Sequence, residues 1–171
     1  MKFLIVSILT VYFSSAVKAG DEEAQRRMKK LGKTLRKELK AKLKESPEKA
    51  LDYCNLNALK ITDEFNDSHY KFGRISDKNR NPSNLPQKWM RQYMDQIYNK
   101  ETTESFHVVD LGGGKRGYLK PIPTVPDCLV CHGENISSAL KAEIDKRYPN
   151  DKAKNHIIGD IRGFFWATYT P

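Results

Sequence analysis

Hydrophobic positions recur along this chain with two different periods, and the change from one to the other divides it. Between Asp21 and Glu45 the apolar positions are Met28, Leu31, Leu35, Leu39 and Leu43, three or four residues apart in a run dense in Lys and Arg. That spacing predicts one helix with a narrow apolar stripe, opened by Asp21, Glu22 and Glu23 at the positive end of its dipole. Ser46 and Pro47 restart the pattern as an N-cap and a first helical residue. A second helix then carries Leu51, Cys54, Ala58, Ile61 and Phe65 on one face, which turns Cys54 inward beside a small Ala58.

Alternation replaces the helical period at His69–Ser76, an aromatic-rich strand. The polar run from Asp77 to Pro86, punctuated by Pro82 and Pro86, reads as a loop. A helix from about Leu85 to Asn99 buries Trp89, Tyr93, Met94 and Ile97. Ser105–Leu111 and Arg116–Ile122 form a hairpin around Gly112-Gly113-Gly114-Lys115, whose spacing is not that of a phosphate loop. Ile136–Tyr148 is a short amphipathic helix, and Gly159–Tyr169 an aromatic strand central in the sheet. Helices followed by strands with helices between them predict an α+β domain around an antiparallel sheet.

A length of 171 residues suits a single domain. Residues 1–19 stand apart from it. Met1-Lys2 is a short positive start, Phe3–Phe13 is almost wholly apolar, and Val17-Lys18-Ala19 ends in a small residue, the signature of a secretory signal cleaved before Gly20. Its apolar run is far below the roughly 20 residues of a bilayer span, so no transmembrane span is expected in the mature chain. Residues 20–45 then form the basic amphipathic helix and 46–171 the domain proper. The aliphatic stripe of that helix must lean on something, either the domain itself or its own copy in a homodimer; it lacks the aromatic anchors of helices that lie on membranes. The net charge of +9 falls to +7 without Lys2 and Lys18, and no basic segment is interleaved with aromatics, which argues against nucleic acid.

The most specific chemistry is Cys128-Leu129-Val130-Cys131-His132. Two thiols two residues apart add to the vinyl groups of a haem, and the histidine that follows reaches its iron. The motif therefore predicts one covalent haem c on Cys128 and Cys131 with His132 as proximal ligand. Attachment of this kind happens outside the bacterial cytoplasm, so leader and motif support each other and point to the periplasm. A zinc or thiol-redox use of the cysteines lacks a fourth ligand or a strand-to-helix context. Cys54 is left over, and its position allows either plain packing or metal ligation. His69, His107, His156, Met90 and Met94 are the competing distal ligands. Arg74 and Arg80 carry guanidinium forks suited to haem propionates.

The stretch ALDYCNLNA around Cys54, FGRISDKNRNPSNLP, KPIPTVPDCLVCHG and the closing GDIRGFFW occur in order over residues 50–166. Together they resemble a family of single-haem c-type cytochrome domains with a PAS-like fold, long catalogued as a domain of unknown function. The resemblance implies about five antiparallel strands, long N-terminal helices, and the haem between sheet and helix. It also implies a His132/Cys54 ligand pair. The function then expected is one-electron transfer with a redox partner protein. The alternative is a redox or diatomic-gas sensor for nitric oxide or carbon monoxide, signalling through a partner when the Cys54 sulfur lets go. The chain's end at Pro171 without a signalling module favours the carrier. Catalysis of a peroxidase kind would need an open coordination position beside polar groups, so an enzyme is the less favoured reading.

Overall fold

The computed structural model describes the backbone of residues 4–171 and the side chains from Lys18 onward. Most of the leader read over residues 1–19 therefore lies outside the described residues. The expected cleavage point falls within α1 (Leu4–Glu45). Five further helices and four strands follow: α2 (Pro47–Leu56), α3 (Ala58–Asp63), β1 (Tyr70–Ile75), α4 (Lys88–Tyr98), β2 (His107–Gly112), β3 (Lys115–Pro123), α5 (Pro126–His132), α6 (Ser138–Arg147) and β4 (Ile161–Tyr169). None of the described helices is long and apolar enough to cross a membrane.

The fold is α+β, a PAS-like antiparallel sheet in the order β1-β4-β3-β2 with a long N-terminal helix. Four strands form, one fewer than expected. Beside β1, the segment after Ile75 leaves the sheet: Ser76 N–H donates to Asn84 O, and Pro82–Asn84 is a 3-10 turn. Prolines 82 and 86 deprive this stretch of the donors that a ladder needs.

Strand alternation divides two cores between the faces of the sheet. Phe165, Ala167 and Tyr169 of β4 join Tyr70, Phe72 and Tyr118 against Ala24, Met28, Leu31 and Leu35 of α1. Phe164 and Trp166 instead meet Met90, Tyr93, Met94 and Ile97 of α4. Met28, Leu31 and Leu35 of the helical stripe read from the sequence are thus buried within the chain itself, the first two at 0% exposure, while Leu39 and Leu43 are half-buried. Sequence reasoning placed one helix from Ser46 to Phe65. Its N-cap holds, since Ser46 Oγ accepts from Lys49 N–H, but the helix breaks at Asn57, whose φ of −108° departs from helical geometry. The apolar spacing continues across the break, which is why the sequence does not disclose it.

Asp67, in the turn into β1, accepts from the N–H groups of His69 (2.9 Å) and Tyr70 (2.7 Å) and pairs with Arg27 of α1 (2.6 Å). The Arg27 hydrogen bond is the main reason that its carboxyl is held down to about 2. A folded-state value below the roughly 3.9 of an unfolded Asp contributes stability that is complete above about pH 4 and lost as pH falls through about 2. Asp67→Asn should flatten the acid limb of a melting-temperature profile in that window. At neutral pH its effect should stay within about 1 kcal/mol, because the carboxylate is 43% exposed and screened.

Candidate functional site

Between the α1–α2 side and the sheet lies a cavity of about 430 Å³. Leu35 and Leu39 of α1, Leu51 of α2, and Ile122 and Phe165 of the sheet give it apolar walls. The CLVCH segment forms its own short helix, α5. Val125 is extended before Pro126, which occupies the first turn, and Gly133 ends the helix. In that conformation Cys131 and His132 stand three and four positions beyond Cys128 and turn to the same side as it. All three line the cavity.

His132 is fixed from behind. Its Nδ1 donates to Ala153 O at 2.8 Å, while its own carbonyl accepts from His156 N–H at 2.9 Å. Burial, with Arg162 and Arg80 adding to it, pushes its pKa well below the ordinary value. The imidazole is therefore neutral, with Nδ1 carrying the proton and Nε2 an acceptor, the form in which histidine binds a metal, although here Nε2 accepts from the Arg162 guanidinium. Arg162 Nη2 lies 3.1 Å from that Nε2.

Cys54 lines the same cavity from α2. Its side chain is exposed, yet burial is the main cause of the rise in its thiol pKa. Both hold because the surface it exposes is cavity wall rather than outer surface. Arg74, Arg80 and Arg162 oppose the rise and favour the thiolate. All three cysteines are free thiols. Among the described residues no three His, Cys, Asp or Glu side chains are grouped to hold a bare ion. A neutral imidazole, two thiols beside it and a third thiol, spread over the walls of an apolar cavity, fit a large metal-centred macrocycle.

The arginines divide by role. Arg80, read as a propionate partner, is already engaged: its Nη2 donates to Cys131 O (2.6 Å) and Asp151 (3.0 Å), a pair 9% and 0% exposed. It ties the end of α5 to the loop that supplies Ala153, and so positions His132. Arg74 has no carboxylate partner among the described residues, and burial pulls its pKa down. Arg162, which sequence reasoning missed as a site residue, is likewise without one, and burial brings it down to about 10. The reason it was missed is a register shift. Ile122 pairs with Gly163 and Pro123 with Ile161, so Arg162 is the extra residue of a bulge. Strict alternation would send it to the α4 side with Phe164; the bulge turns it to the cavity.

The competing ligands lie elsewhere. His69 bonds Thr170 O, His107 stacks on Tyr93 and pairs with Glu104, His156 is buried with its ring 6.4 Å from that of His132, and Met90 and Met94 are fully buried on α4. None lines the cavity.

No curated protein matches the chain. A solved structure described as that of the cyanobacterial heme-protein Tll0287 is similar at 28% identity and a TM-score of 0.49, over 60% of this chain and 61% of that one. The Tll0287-like family model matches residues 14–169, nearly the whole length, and the chain belongs to that family.

Proposed function

We propose that this protein is an exported c-type cytochrome that holds one covalent haem with His132 and Cys54 as axial ligands and transfers single electrons to and from a partner protein. The observation that carries the reading is one cavity walled by the Cys128–Cys131–His132 face of α5 and by Cys54 of α2. In that site a haem supplies a one-electron couple. The chain's own residues do the rest. Cys128 and Cys131 tether the ring, Ala153 O holds the His132 tautomer, and Leu35, Leu51 and Phe165 exclude water. Arg74 and Arg162, without carboxylate partners among the described residues, would meet the propionates, and Arg80, whose Nε has no hydrogen-bond partner, lines the same cavity. The apolar leader over residues 1–19 directs the chain to the periplasm, where such attachment takes place.

A second reading, a redox or diatomic-gas sensor, draws on the setting of Cys54. It sits on a ten-residue helix broken from its neighbours at Ser46 and Asn57. A sulfur bond made in one state and released in another would bias that segment.

The test is expression of the full chain with its leader in a bacterium that matures c-type cytochromes. The expected result is a periplasmic red protein whose colour stays with the chain after denaturation and acid-acetone extraction. Extractable pigment, or none, overturns the reading.

A further inference from the structure

Residues 29–44 of α1 hold eight Lys or Arg and one acid, Glu38. Burying the apolar stripe against the sheet turns this charge outward: Lys29, Lys30, Lys33, Arg36, Lys37, Lys40 and Lys44 are all exposed. Among the described residues Lys29, Lys30, Lys33, Lys37 and Lys44 make no ion pair. Among the described residues only Asp127 pairs with the patch from another element, 3.3 Å from Lys40 and 3.9 Å from Arg36. That acid precedes Cys128 on α5, so the cationic face runs up to the helix that bears the two attachment cysteines. Lys33 and Arg36 themselves line the cavity, as does Lys120 from β3.

We infer that this collar of Lys33, Arg36, Lys37 and Lys40 is the docking surface for an acidic face of the redox partner, placed so that the partner meets the cavity at its α1 edge. The inference rests on the haem reading and adds to it where the partner binds and with what charge. A protein partner is favoured over a lipid surface by the same burial. A helix that lies in a membrane interface needs an apolar face to insert, and α1 has given Met28, Leu31 and Leu35 to the core. What remains outward is mostly charge, which steers encounter and sets orientation through a field that salt screens over about 10 Å at 0.1 M.

Stopped-flow oxidation of the reduced haem protein tests this. With ferricyanide one electron passes from the protein to the probe, giving ferrocyanide and the oxidised protein, with no proton or ligand exchanged. The rate should fall as salt is added, and a cationic cobalt(III) complex should show the opposite trend. In the triple variant Lys33→Glu, Arg36→Glu, Lys37→Glu the ferricyanide rate at low salt should drop about tenfold or more. The control Lys60→Glu, Lys88→Glu, Lys146→Glu changes net charge equally at exposed positions that do not line the cavity, and should lose less than about threefold. Equal losses in the two variants overturn the local docking surface. Sedimentation of the protein with phosphatidylserine vesicles, abolished in the first variant, would assign the face to membranes and overturn the acidic partner. A chain with no haem band fails the haem reading instead, so the two failures are told apart.

Discussion

Gly163→Ala should cost roughly 3–5 kcal/mol and lower the melting temperature by about 10 °C, the largest stability loss expected from a single methyl group in this chain. The residue adopts a φ of 155°, which side-chain-bearing residues rarely adopt. A Cβ there would collide with the carbonyl oxygen of Ile75 and crowd Ser76 Cβ at 3.2 Å. The first neighbour is backbone at the end of a paired strand, so it has no rotamer by which to yield. Relief requires β1 and β4 to separate where Ile75 pairs with Phe164. The same residue follows Arg162 in the bulge and lines the cavity. The substitution should therefore disturb the site before it unfolds the domain. Thermal melts followed by circular dichroism, with cofactor content measured on the same samples, check this. A loss below about 1 kcal/mol would show that the strand end adapts, and would contradict the clash.

The parts of this fold that depend on short-range patterning could be read from the sequence. The Ser46-Pro47 start of α2, the stripe of α1, the hairpin around Gly112–Gly114 and the central placement of β4 all stand as expected. What failed to show were features in which the backbone departs from the side-chain pattern. Leu51, Cys54, Ala58 and Ile61 keep helical spacing straight across the break at Asn57. The fifth strand came only with the resemblance, which gave it no place along the chain; the alternation read from the residues named four strands, and four form. Arg162 was hidden because a bulge reverses its face. Arg80 was singled out for its chemistry, but its partner Asp151 lies 71 residues away, and no local rule connects them. Cys54 was placed inward correctly, although the interior it meets is a cavity rather than packed core.

Cys54→Ala should leave the fold intact and change the electronic character of the site. The thiol gives its surface to the cavity and not to packed neighbours, so its loss should shift stability by less than about 1 kcal/mol. Burial raises its thiol pKa and Arg74, Arg80 and Arg162 oppose that rise, so on the proposed ligation the variant removes a sulfur whose charged form those arginines would support once it is bound to iron. A thiolate donates charge and stabilises the oxidised iron. Its removal should raise the reduction potential by on the order of 0.1 V or more, a fraction of the ~0.8 V range that axial ligands span. The ferric spectrum should change with it, through loss of the low-spin form. Potentiometric titration and electron paramagnetic resonance of wild type and variant check both. An unchanged potential and an unchanged spectrum would reduce Cys54 to a wall residue. The variant also calibrates the choice between carrier and sensor, since His132 remains held by Ala153 O and the position facing Cys54 is cleared. Carbon monoxide added to the reduced variant should bind. If the reduced wild type binds it as readily, the sulfur leaves on reduction and the protein is built to sense. If only the variant binds it, the sulfur stays through the redox cycle and the protein is built to carry electrons.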